Sequence, residues 1–87
     1  MKIKEGYILR NVAGSHVVLP LGEATLDFNG MASLNDTGAF LFEKMQEDVT
    51  KEELVKALLE KYDIDETTAT NDVEMFVEKV KGVGIVE

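Results

Sequence analysis

Strand-forming residues fill the first third of this chain and helix-forming periodicity fills the rest, and that segregation limits what it can fold into. Tyr7-Ile8-Leu9-Arg10-Asn11-Val12 and His16-Val17-Val18-Leu19 are rich in β-branched and large apolar residues, which suit a pleated surface. Ala13-Gly14-Ser15 lies between them, and Gly14 can supply a positive φ, so the pair reads as a β-hairpin. Pro20 has no N–H for a ladder and ends the second strand. Leu21 to Asn29 reads as an irregular crossing, and Gly30-Met31-Ala32-Ser33-Leu34 as a short third strand. Strands that come first, as a meander, cannot be threaded with helices into parallel βαβ units.

Three helices follow. Asn35 or Asp36 can cap the first, which runs to about Gln46 with Phe40, Leu41 and Met45 on one face. Gly38 inside it costs about 1 kcal/mol relative to alanine, a cost that a close packing contact would explain. Thr50 and Glu53 form a capping box at the start of the second helix. Leu54, Val55, Leu58 and Leu59 supply its apolar side, and it ends near Tyr62. Asp65 can cap the third, where Ala69, Val73, Phe76 and Val80 recur at i, i+4, i+7 and i+11 as a buried stripe. Gly82 and Gly84 stop it, and Ile85-Val86 adds a last extended piece. The predicted class is α+β: three N-terminal antiparallel strands, then three helices in a winged helix-turn-helix-like cluster. The 87 residues fit one domain, 1–87.

Composition then narrows function. Without cysteine there is no disulfide framework, thiolate nucleophile or thiolate metal site. His16 is the one histidine; it reads as a solvent-side strand residue, and the common zinc constellations cannot be assembled around it. Glu52-Glu53, Asp65-Glu66 and the like-charge pair Glu74/Glu78 read as solvated faces and dipole partners. Asp63-Ile64-Asp65-Glu66 lacks the glycine and distal glutamate of a calcium loop. No phosphate-binding glycine loop is present. The chain therefore reads as non-catalytic, with no metal and no cofactor. Met1-Lys2-Ile3-Lys4-Glu5-Gly6 leads into no apolar run of signal-peptide length, and no stretch approaches the ~20 residues of a membrane span. The expectation is a cytoplasmic protein without a membrane partner. A net charge of −8 repels phosphates. The third helix, with Glu66, Asp72, Glu74 and Glu78 against Lys79 and Lys81, makes a poor DNA-recognition helix.

One surface remains. A meander has two edges, and an unpaired edge exposes backbone donors and acceptors that an extended peptide can pair with as a further strand. Met31, flexible and polarizable, suits adaptable contacts on the third strand, and Met75 lies roughly opposite the buried stripe of the third helix.

The run Phe28-Asn29-Gly30-Met31-Ala32-Ser33-Leu34-Asn35-Asp36-Thr37-Gly38-Ala39-Phe40-Leu41-Phe42 resembles the PqqD-like family, most specifically in Leu34-Asn35-x-Thr37-Gly38-Ala39. Leu9-Arg10-Asn11-Val12-Ala13-Gly14, Asp72-Val73-Glu74-Met75-Phe76-Val77 and Gly84-Ile85-Val86 resemble it too, so that nearly the whole chain is covered. Phe42 stands where relatives often have tryptophan. The resemblance implies a recognition domain for ribosomally synthesised, post-translationally modified peptides. Such a domain binds the leader part of a precursor peptide between the third strand and third helix. It presents the peptide to a modifying enzyme, often a radical S-adenosylmethionine enzyme; in pyrroloquinoline quinone synthesis the peptide becomes the cofactor. Carried onto this chain, the binding residues are Gly30, Met31, Ala32, Ser33 and Leu34 on the strand, with Asp72, Met75, Val77, Lys79 and Lys81 as the set from which the helix wall is drawn. Phe40, Leu41 and Phe76 are expected in the core. The alternative is a generic protein–protein adaptor, or a homodimer formed through the same edge strand.

Overall fold

The computed structural model describes residues 1–22 and 32–87, with Ala32 as backbone alone. The expected positions Gly30 and Met31, and the crossing from Glu23 onward, lie outside the described residues. The elements are β1 (Tyr7–Val12), β2 (Ser15–Pro20), β3 (Ala32–Leu34), α1 (Asp36–Lys44), α2 (Lys51–Lys61) and α3 (Glu66–Gly82). Strand order is β1-β2-β3, with both pairings antiparallel. The described part of the chain thus has the expected α+β class, strands first and helices after.

The hairpin turn is tighter than the sequence reading. Val12 pairs with Ser15, so the loop is Ala13-Gly14 alone and Ser15 opens β2. Ala13 has φ 52° and Gly14 φ 83°. Two positive φ values in a two-residue loop make a type I′ turn, whose twist matches that of the strands. The Gly14 amide donates to Asn11 Oδ1 at 3.2 Å, closing the turn from the side.

That turn sets which way each backbone group points. The pair closing a two-residue loop is hydrogen-bonded, so Ser15, Val17 and Leu19 direct their amides and carbonyls to β1. His16 and Val18 then direct theirs to β3, where they meet Leu34 and Ala32. Ser33, opposite Val17, turns both its N–H and its C=O away from the sheet.

Helix starts follow the local rules. Asn35 caps α1 and accepts from the Gly38 amide at 2.7 Å. Thr50 and Glu53 make the reciprocal capping box of α2. Asp65 caps α3 and accepts from the Thr68 amide at 2.7 Å. α1 ends at Lys44, two residues before the expected Gln46, with Met45 as C-cap. Beyond α3, Gly84 takes φ 79°, the left-handed stop that Cβ disfavours.

The core gathers one face of the sheet (Tyr7, Val18, Leu34) against Leu41, Phe42 and Met45 of the α1 segment, Leu54 and Leu58 of α2, and Ala69, Val73, Phe76, Val77 and Val80 of α3. Each fully buried Val, Leu, Phe or Met among them contributes about 1.5–3 kcal/mol relative to exposure. Phe40, expected inside, is half-buried at the rim, edge-on to Tyr62 with ring centroids 6.0 Å apart. The chain ends are drawn in as well. Ile3 bridges Val86, the Lys4 amide donates to the Ile85 carbonyl, and the Glu87 amide donates to the Lys2 carbonyl. The Met1 ammonium reaches Asp48 Oδ1 and the Val49 carbonyl, each at 2.7 Å.

Candidate functional site

Among the described strands β2 lies in the middle of the sheet and β3 at an edge, whose outer side faces α3 across a groove of about 290 Å³. Leu34, Asn35, Thr37 and Gly38 form one wall; Asp72, Met75, Phe76 and Lys79 form the other. The wall from the α1 side depends on Gly38. A Cβ there would stand 3.2 Å from Asn35 Oδ1 and 3.3 Å from Leu34 Cβ, so any larger residue requires Asn35 or Leu34 to give by a few tenths of an ångström. Of the run Leu34-Asn35-x-Thr37-Gly38-Ala39, the most specific part of the family resemblance, all the specified residues but the buried Ala39 line one side of the groove.

The α3 wall is a single flank. Asp72, Met75, Phe76 and Lys79 are spaced i, i+3, i+4 and i+7, which brings them to one side of a helix. Met75 stands 69% exposed, a large apolar side chain left at the groove mouth. The Lys79 ammonium donates to the Ser33 carbonyl, the same carbonyl that faces away from the sheet. Asp72 lies two helical turns away, about 10.5 Å along the axis.

Of the expected site residues in the described part, the structure brings Leu34, Asp72, Met75 and Lys79 together, with Ser33 tied in through Lys79. It separates two others. Val77 is 2% exposed and belongs to the core, because α3 packs against both α1 and α2 and so buries a wider arc than the four-residue stripe. Lys81, exposed, sits about 200° around the helix from Lys79 and off this flank. Asn35, Thr37 and Phe76 line the groove without having been expected there; the helical spacing of Phe76 with Asp72 and Lys79 is the signal for that residue. His16 is not an isolated surface residue: its Nε2 lies 2.7 Å from Asp36 Oδ1, joining β2 to the first turn of α1.

A larger groove, about 440 Å³, runs between α2 and α3 past Val55, Leu59, Thr70 and Val73. Both of its walls are helices, whose mid-helix backbone groups are already paired, so it offers no ladder to an extended chain. Among the described residues two carboxyls have lowered pKa values, both outside these grooves. Asp65 is held down by hydrogen bonds from Thr68, and Asp48 by the N-terminal ammonium. Among the described residues no group of three or more His, Cys, Asp and Glu is placed to hold a metal ion, and no helix is long and apolar enough to cross a membrane.

An edge strand facing a helix flank across a groove has the geometry to which an extended segment can add as a further strand. The family model for coenzyme PQQ synthesis protein D (PqqD) matches residues 15–86, and the chain belongs to that family. Among solved structures the chain is similar to TbiB1 in complex with the TbiA(beta) leader peptide, with TM-score 0.74 and 22% identity over 100% of this chain and 95% of that one. It is also similar to lasso peptide synthetase B1 complexed with the leader peptide, with TM-score 0.70 and 18% identity over 97% of this chain and 93% of that one. At these identities the likeness is one of fold. A search of curated proteins finds no match.

Proposed function

We propose that this chain is a non-catalytic capture domain for the leader segment of a ribosomally made precursor peptide. The segment adds to β3 as a further strand in the β3–α3 groove and is presented to a modifying enzyme, of the radical S-adenosylmethionine class. The work is done in the cytoplasm, where such precursors are made. The observation that carries this reading is the outward Ser33 backbone on an edge strand, beside a groove whose helix wall carries the exposed Met75. Main-chain pairing gives affinity without regard to sequence, and side chains flanking the groove select the peptide. Membership of the PqqD family supports the reading, as does a fold shared with two proteins solved as leader-peptide complexes.

The test is an NMR titration of isotope-labelled protein with the leader peptide encoded beside it. Amide shifts concentrated at Ser33, Leu34 and the Asp72–Lys79 flank are expected. Saturating peptide that moves none of them, or moves only the α2–α3 groove, would defeat the proposal. A mass that rises with protein concentration and shifts the same amides without peptide would favour an edge-strand homodimer instead.

A further inference from the structure

The Ser33 carbonyl is an acceptor that a strand docking on β3 would use, and the Lys79 ammonium already donates to it. We infer that Lys79 is an exchangeable latch on the strand edge and the reader of a carboxylate on the incoming segment; this rests on the β3–α3 groove being the peptide site. A docking strand donates its own N–H to the Ser33 carbonyl and displaces Nζ. The freed ammonium then needs a new partner at the groove mouth.

The helix offers it no acid. Residues three and four positions from Lys79 are Met75, Phe76, Gly82 and Val83, so no carboxylate stands at the spacing that forms helix ion pairs. Among the described residues no carboxylate lies within ion-pair distance of Nζ, although the chain has a net charge of −8. Lys81, by contrast, has Glu78 three residues before it. A segment with an Asp or Glu beside Lys79 replaces the lost bond with an ion pair. A neutral segment displaces the ammonium and gives it no ion pair among the described residues. Lys79 therefore governs which peptide is accepted more than how tightly the best one is held. A lysine at a strand edge also discourages pairing with unselected strands.

The experiment is a cycle between protein and peptide. The leader peptide encoded beside this chain is synthesised with each Asp and Glu changed singly to Asn or Gln. Binding is measured by fluorescence anisotropy to the wild type, to Lys79→Met, which keeps the apolar stem, and to Lys79→Gln, which keeps a donor for Ser33 without charge. One neutralisation is expected to weaken wild-type binding about 3- to 5-fold, the size of an exposed ion pair, and to have no effect on either variant. That neutralised peptide is expected to bind Lys79→Met at least about twice as tightly as wild type, because no latch opposes it. Neutralisations that act alike on all three proteins, or a bound stretch with no carboxylate, would overturn the inference. If those results came with amide shifts at Ser33 and the Asp72–Lys79 flank in the wild type, the groove reading would stand and the latch alone would fall. Absence of those shifts would remove both.

Discussion

Among the described residues, Ala13 is the non-glycine residue that takes a positive φ. Its φ of 52° lies in the left-handed region, which costs a residue with a Cβ about 1 kcal/mol and suits asparagine or glycine. Ala13→Asn is expected to raise stability by about 0.5–1 kcal/mol in urea unfolding. Asp65 makes a prediction about pH. Hydrogen bonds from Thr68 hold its carboxyl below the usual carboxylate range, so the folded state binds that proton less readily than the unfolded chain. Its contribution is complete above the ordinary carboxylate value and is lost as pH falls through that value toward the lowered one. Asp65→Asn keeps a capping oxygen but no titrating group. Melting temperatures taken from about pH 5 to about pH 2 should fall less steeply for that variant than for wild type.

Two faces of α3 do different work, and paired substitutions separate them. Val77→Ala removes packing from the core and is expected to cost about 2 kcal/mol of stability, read by chemical denaturation. Met75→Lys, on an exposed side chain at the groove mouth, is expected to leave the melting temperature nearly unchanged while weakening leader-peptide binding about tenfold or more. For β3 the informative change is Ser33→Pro. Proline is tolerated on an edge strand where its missing N–H would have pointed outward, which is where Ser33 points. The fold should survive by circular dichroism, and calorimetric titration with the leader peptide should show the lost docking donor. Local chemistry made much of this legible in sequence: the caps at Asn35, Thr50 and Asp65, the Ala69/Val73/Phe76/Val80 stripe and the end of β2 at Pro20 each depend on near neighbours. The flank of α3 that lines the groove was not legible. The apolar arc of α3 marks its buried side, but either neighbouring flank could have faced β3, and only tertiary packing assigned Val77 to the core and turned Lys81 away. The tight turn was missed because alanine gives no sign that it will take a positive φ.

At the scale of the molecule, charge and topology act together. A net charge of −8 opposes nucleic acid despite the winged arrangement, and mobility-shift assays at low salt should show no tight DNA complex. Among the described residues, three strands and three helices built around one core set a strand edge beside a helix flank, so the proposed docking surface follows from the order of these elements. The same compactness brings the first and last residues together, through the Ile3–Val86 bridge and the backbone bonds flanking it. The chain is therefore nearly a closed ring. A circular permutant, with Glu87 joined to Met1 by a few glycines and new ends opened in the exposed Ala13-Gly14 turn, has the means to refold with its groove intact. A domain fused at either end would leave from the same pole of the protein.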